Sequence, residues 1–530
     1  MSVSRRSVFL LSAGLLLAAA AVAIAQLPGN DSKPQITISK AVTHVTTPVT
    51  EDGYVDYLGA INAHVSKDVN ASNNANVKFW QALGPHPENT TMPPRFFKLM
   101  GIDSPSEKGN YFLDLDQYLK QGGDIDLQGP LWGRTMDHQG KAMDRPWLAK
   151  EYPQIAGWLL ANVKPLAVVA EGTKRSEFYS PLVVPKGEEG EMEIEHSMIT
   201  VLLPGVIQSR SFARALSARA MLRTRNGDTT GAWEDLMACH RLGRLVGRGP
   251  TLIEALVGIA IDGIVVNADL AFLEYTKPDA RQIAKYQQDL AALPPLPDIG
   301  EKIGLAERYM FLDVTQRLSR SGPKGLGALT GGSRESERVM AALMFRSVDW
   351  DTVMRTGNHW YDRLEEASKH ESRKERKIAM EIVEADMQKF VRKPLPTMIA
   401  GLIFGSKKTV GKMLSRVLIA LMLPSVSAAQ EAEDRSQQQI HNLQLAFALA
   451  AYRSDHEAYP ESLKQLAPKY LKQVPGDMYS RKELVYQATA DSYLLYSFGR
   501  NEKDDGGRTH NDKPSGDDLR VRMPLPDSIE

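Results

Sequence analysis

Cys239 and His240 are neighbours in a chain that holds one cysteine and eleven histidines, and a thiol beside an imidazole is raw material for nucleophilic catalysis. They sit in an apparent helix, where adjacent side chains diverge by about 100°. The two cannot act on each other, and Cys239 reads as a small core residue. No histidine stands in His-Glu-x-x-His and no two lie four apart, so a helix-borne zinc site lacks its ligands. Gly-x-Ser-x-Gly is absent too. Glu191, Glu193 and Glu195 could be assembled into a hydrolytic carboxylate pair, but acidic surface loops are far commoner than such dyads. Gly322, Gly325, Gly327, Gly331 and Gly332 cluster without a following Gly-Lys-Ser or Gly-Lys-Thr, which removes a phosphate-cradling loop and any nucleotide with it.

Composition sets wider bounds. The 530 residues carry 64 Lys and Arg against 64 Asp and Glu, so no basic surplus draws the chain to nucleic acid. A single cysteine allows neither an intramolecular disulfide nor a cysteine-rich metal site. Stability must come from packing, for which 43% apolar residues are sufficient. Arg5 and Arg6 precede an uncharged apolar stretch, Val8 to Ala25, that ends Ala23-Ile24-Ala25. This is the pattern of a secretory signal peptide over residues 1–25. Cleavage after Ala25 removes two arginines and leaves a formal charge of −2. The expected location is the periplasm or cell envelope; an uncleaved segment would instead anchor the chain in the membrane. Ser4 to Leu10 also resembles a twin-arginine export signal.

These residues need elements to position them. Residues 26–50 are rich in Ser, Thr and Pro and read as an extended lead-in. A helical body is expected over 51–320: Tyr54, Tyr57, Leu58 and Ile61 share helical spacing, as do Val77, Trp80 and Leu83 before Gly84-Pro85, and Ile155 to Ala170 continues the pattern. Asn226-Gly227-Asp228 divides two amphipathic stretches, Arg210 to Thr224 and Gly231 to Val246, into a helical hairpin. It is somewhat like a tetratricopeptide unit, but no second copy follows at that period. Residues 321–333 read as a glycine-rich loop. Charges of both signs from Tyr361 to Lys389 read as the solvated face of a long helix. The segment 334–426 ends in a basic hairpin: no acid lies between Met387 and Gln430, while seven Lys and Arg flank the apolar runs Met398 to Phe404 and Val417 to Leu423. Two buried helices with a basic outer side are the preferred reading; contact with an anionic membrane surface is the alternative.

The last segment, 427–530, differs. A helix from about Glu431 to Asp455 carries Ile440, Leu443, Phe447 and Ala450 on one stripe that needs a partner. A short helix at Leu463 and Leu466 follows, then two strand-like runs, Leu484 to Ala488 and Tyr493 to Phe498, across Thr489-Ala490-Asp491. Seven tyrosines between Tyr452 and Tyr496 suit a small sheet covered by aromatics. The fold class is therefore mainly α, a helical bundle body with a small C-terminal α+β domain.

Leu449-Ala450-Ala451-Tyr452-Arg453, Tyr459-Pro460, Leu463, Leu466, Tyr470-Leu471, Pro475, Asp477, Tyr486, Tyr493, Leu495-Tyr496-Ser497 and Gly499 follow one another in an order that resembles the periplasmic domain of the major, G-type pseudopilin of type II secretion systems. The likeness covers about a fifth of the chain. The rest resembles large exported bacterial proteins of unassigned function. The pseudopilin likeness implies a calcium site after the last hairpin, where Ser497-Phe498-Gly499 precedes Asn501, Asp504, Asp505, Asp517 and Asp518. Calcium takes six to eight oxygen ligands, which clustered Asp and Asn side chains on glycine-permitted turns can supply; the alternative is a disordered acidic tail. Two features depart from the family. Roughly 400 residues separate the N-terminal apolar stretch, which holds no acid, from this domain, and Arg508 to Lys513 lengthens the loop. Pilus assembly is thus not expected. The function expected is that of an exported, non-enzymatic envelope or interaction protein, whose partner is an envelope protein or the membrane surface; the alternative is an exported hydrolase with its active site in the helical body.

Overall fold

Proline, asparagine and aspartate decide where the helices of this chain start. The computed structural model describes residues 36–526 apart from 88–89, 123–125, 127–128, 185–196, 323–344, 346–347, 393–405 and 424–425. The helices are α1 (Tyr57–Val65), α2 (Ala75–Leu83), α3 (Pro94–Leu99), α4 (Leu115–Lys120), α5 (Pro130–Asp144), α6 (Pro153–Ala161), α7 (Val163–Gly172), α8 (Pro204–Arg225), α9 (Thr229–Val246), α10 (Leu252–Thr276), α11 (Ala280–Ala291), α12 (Ile299–Lys302), α13 (Arg308–Ser321), α14 (Trp350–Ser368), α15 (Arg373–Val391), α16 (Lys407–Met422) and α17 (Val426–His456). Pro94, Pro130, Pro153 and Pro204 open helices at a position whose N–H has no intrahelical partner. Asp56, Asn74 and Asp228 accept from first-turn amides, and Thr251 forms a capping box with Glu254.

The expected hairpin is α8 and α9, joined through Asn226-Gly227-Asp228, with Gly227 at φ +84°. Two expectations are corrected. The stretch 155–170 is two helices broken at Asn162, because Pro165 in the first turn of α7 has no amide to continue the ladder and the Asn162 side chain bonds the backbone of Leu113. The charge-rich stretch 361–389 is divided between α14 and α15, and its charges are not all solvated: Arg373 is buried. The signal segment, Glu191 to Glu195, the apolar run Met398 to Phe404 and nearly all of the glycine-rich loop lie outside the described residues. The second basic-hairpin run is α16, which buries Val410, Leu414 and Leu418 and exposes Lys407, Lys408 and Lys412.

Two apolar cores result. One gathers α2 to α11 with the second half of α17 and the sheet; the other gathers α1, α12 to α16 and the start of α17. α10 and α17 belong to both. Leu252, Ala255 and Ile259 of α10 enter the second core, and Ile261, Val265 and Phe272 the first. By length and composition α10 could cross a membrane, yet most of it is interior to the fold. Its closest approach is to α9, where a Cβ on Gly258 would stand 2.5 Å from the carbonyl oxygen of Gly243.

The apolar face of α17 finds its partner in the body. Phe447 meets Trp233 of α9 and Tyr286 of α11, with ring centroids 6.0 and 6.4 Å apart, and Trp233 lies 4.3 Å from Tyr286. The body therefore does not close on itself: the stripe from Leu443 to Ala451 is inside a core shared with α8 to α11. The remainder is a single 3₁₀ turn, Leu463–Leu466, and an antiparallel sheet of β1 (Val485–Ala488), β2 (Tyr493–Ser497) and β3 (Leu519–Met523), in the order β1-β2-β3. The first two are the expected hairpin. The sequence reading contains no third strand; in the fold Leu519, Val521 and Met523 alternate inward and pair with Ser497, Leu495 and Tyr493.

Candidate metal centre

The loop between β2 and β3 is held at its base before any ion is considered. Asp477, buried, accepts from the Ser497 hydroxyl at 2.7 Å and the Phe498 amide at 3.2 Å, which fixes the end of β2. At Gly499 a Cβ would stand 2.1 Å from the carbonyl oxygen and 2.4 Å from Oδ1 of Asp517, so only glycine lets the two strands of the loop approach this closely.

Beyond it, backbone amides orient the carboxylates. Asn501 N donates to Asp517 Oδ2 at 2.9 Å, Asp517 N to Asp505 Oδ2 at 3.1 Å, and both Asp505 N and Gly507 N to Asp518 Oδ2 at 3.1 and 2.8 Å. These bonds draw Asp505, Asp517 and Asp518 together. One oxygen of each falls within 4.8 Å of the others. Oxygens bound to one calcium at 2.3–2.6 Å stand no more than about 5 Å apart, so the spread suits a common ion. Two oxygens have no partner: Asp517 Oδ1 and Asp518 Oδ1 are both buried and accept no hydrogen bond among the described residues. A buried carboxylate oxygen left unpaired is costly unless a cation or donor meets it.

The charges respond to this crowding. Burial, followed by the negative charges of Asp505 and Asp504, pushes the Asp518 carboxyl up to about 6 against the pull of the Gly507 amide. Asp505 moves the other way, held below the usual carboxylate range by the Asn501 side chain and the Asp517 amide.

Of the five residues expected to bind, three converge. Asn501 is beside them but directs its amide nitrogen to Asp505 Oδ2 at 3.0 Å and its oxygen to Lys503 N. Asp504 turns to the Tyr496 hydroxyl at 3.0 Å and the Gly506 amide. The lengthening at Arg508 to Lys513 folds upon itself: Asp512 accepts from Thr509 N and pairs with Arg520 at 3.1 Å.

No family model, curated protein or solved structure matches this chain.

A second group of charges escaped the sequence reading. His240 of α9 is 1% exposed and lies between two carboxylates of α10, with Nδ1 3.0 Å from Asp262 and Nε2 2.8 Å from Asp269; Arg244 Nε is 3.2 Å from Asp262. Burial alone would lower the imidazole's pKa, but the charges and hydrogen bonds of Asp269 and Asp262 overcome it and raise it to about 9. The ring is therefore a cation at neutral pH and donates from both nitrogens, so it has no lone pair for general-base work. Cys239, buried beside it, has its thiol pushed well up by burial and by the same aspartates. The available signal was the seven-residue spacing of Asp262 and Asp269, two turns apart on one face of a mostly apolar helix.

Proposed function

We propose that this chain is an exported, non-enzymatic envelope protein in which one calcium ion, held by Asp505, Asp517 and Asp518, orders the loop between β2 and β3 and so presents the C-terminal sheet to an envelope partner. The observation that carries this reading is the pair of buried, unpartnered oxygens, Asp517 Oδ1 and Asp518 Oδ1, in a triad no wider than one calcium shell. The likeness to the pseudopilin domain supports the choice of calcium.

The test is thermal unfolding of the whole mature chain in calcium and in chelator. At a hundredfold excess over Kd, ligand linkage adds about 2.7 kcal/mol. If the chain melts as one unit, its large unfolding entropy converts this into a rise of about 2–3 °C. Magnesium should do less, since it demands octahedral geometry and gives up water reluctantly. Asp517→Asn with Asp518→Asn should remove the calcium effect; identical melting in calcium and chelator would refute the site. Intact mass of envelope-recovered protein tests export: a chain beginning at Gln26 is expected, and a full-length mass would make it membrane-anchored.

A further inference from the structure

The sheet ends at β3, and the β1-β2 hairpin fixes which backbone groups of β3 lie on its outer side. Thr489 N donates to the Ser492 carbonyl at 2.8 Å, so these two residues face each other as a hydrogen-bonded pair. Alternation along an antiparallel ladder then points the backbone groups of Ser492, Leu494 and Tyr496 at β1, and those of Tyr493, Leu495 and Ser497 at β3. Their partners on β3 are Met523, Val521 and Leu519. Arg520 and Arg522 therefore turn their N–H and C=O groups away from the sheet. The open stretch is short. Asp518 N, one step earlier on the same side, is taken by the Arg508 carbonyl at 3.0 Å, and Pro524 has no N–H to give. Between them, two donors and two acceptors find no partner among the described residues.

This edge borders a cleft of about 550 Å³, whose other walls are the end of α5, the middle of α10 and the first half of α17. An unpaired edge is a template for another strand, and its side chains decide which strand it takes. Leu519, Val521 and Met523 face the core, so Arg520 and Arg522 stand on the opposite face of the sheet. Arg520 is engaged with the Gly507 carbonyl and the Asp512 carboxylate, each at 3.1 Å. Arg522 is exposed and has no hydrogen bond or ion pair to another described residue. A second copy of the chain is a poor occupant. Two β3 strands paired about a two-fold axis, in any register centred on the open stretch, set arginine opposite arginine, and like charges facing across a ladder are destabilising. A strand with an acid opposite Arg522 meets a free guanidinium instead.

We propose that β3 accepts an extended segment of a partner protein as a fourth, antiparallel strand, with an acidic residue opposite Arg522. Backbone hydrogen bonds to Arg520 and Arg522 supply affinity and set the register. The Arg522 guanidinium selects the side chain, and it rejects both a basic segment and another β3. This inference rests on the reading that the sheet faces an envelope partner, and it names what that partner offers.

The probe is the peptide acetyl-Thr-Val-Glu-Val-Thr-amide, titrated into the whole mature chain in calcium. Calorimetry should show saturable one-to-one binding, and hydrogen exchange read by mass spectrometry should slow at the Arg520 and Arg522 amides. Replacing the peptide's Glu by Lys should weaken binding at least about threefold, and Arg522→Glu should reverse the preference. Arg522 is exposed and unpartnered, so the melting point of that variant without peptide should not move. Methylating the Glu amide nitrogen, which faces Arg522, should cost at least about tenfold; methylating that of the following Val, which faces away, should be tolerated. Absence of saturable binding, unchanged exchange at Arg520 and Arg522, or a preference for Glu that survives Arg522→Glu overturns the proposal. So does a dimer in which those two amides are protected without peptide, since a second copy then holds the edge. A chain that melts higher in calcium yet binds no peptide keeps the metal reading and loses this one; peptide binding with identical melting in calcium and chelator does the reverse.

Discussion

Arg373 and Glu502 are 129 residues apart in sequence and 2.9 Å apart in space. The guanidinium is buried at the start of α15, lies 4.1 Å over the Tyr479 ring, and also reaches Glu431 at 3.0 Å and Asp434 at 3.5 Å. Glu502 follows Asn501 in the loop that carries the metal triad and takes a second cation, Lys377, at 2.7 Å. One cation therefore ties α15, the start of α17 and the metal-bearing loop.

Replacing Arg373 should be far more damaging than replacing Glu502. Arg373→Met leaves Glu431 and Asp434 facing each other where little water reaches, and breaking a buried pair from one side costs about 3–5 kcal/mol. Glu502→Gln removes a partly exposed partner and should cost no more than about 1 kcal/mol. Chemical denaturation of both variants checks this. Equal costs would mean that Arg376, which also pairs with Asp434, compensates for the buried acids.

Removal of residues 427–530 should unfold the body. The deletion strips Phe447 and its neighbours from Trp233 and Tyr286, and loss of a buried phenylalanine side chain alone costs about 3–5 kcal/mol. Loss of cooperative helix melting by circular dichroism is expected. A truncated protein that melts sharply would show that α8 to α11 close without α17.

Stability should fall as pH rises from about 6.5 to 9, because of His240. Its folded pKa, about 9, lies above the ordinary 6.5, so its contribution is complete below 6.5 and disappears as pH passes the folded value. His240→Gln should flatten that part of the profile while lowering stability at pH 6. If wild type and variant give parallel curves between pH 6.5 and 9, the imidazole is not charged in the fold.

Calcium affinity should decline as pH drops through about 6, the value to which burial and neighbouring charge push Asp518. In chelator the sign reverses for this group: a raised carboxyl pKa makes the fold bind protons the unfolded chain does not, so its contribution to stability lessens as pH rises from about 4 to 6. Calcium titrations at pH 5 and 7.5 give the comparison. Equal affinity at both would place Asp518 outside the coordination shell.

What the sequence determined by itself is mostly local. Helical spacing, the Asn226-Gly227-Asp228 turn and the β1-β2 hairpin depend on neighbours within a few residues, and all three stand in the fold. So does the core position of Cys239. The acidic loop was legible as a set of oxygen ligands, but not which of its five residues converge: Asn501 and Asp504 can each offer an oxygen as Asp505, Asp517 and Asp518 do, and only the path of the loop past Gly499 separates them. β3 was missed because five residues of alternating Leu, Arg and Val are ambiguous until β2 offers them an edge. The break at Asn162 required Leu113, and the partner of the α17 stripe required Trp233 and Tyr286, each far away in the chain. The buried charges were least legible of all. His240, Asp262 and Arg373 look like ordinary solvated residues in sequence, and their meaning depends on burial, which raises the energy of every unpaired charge and so makes the partner decisive. That is a property of tertiary packing, where residues 22 to 129 positions apart are brought within 3 Å.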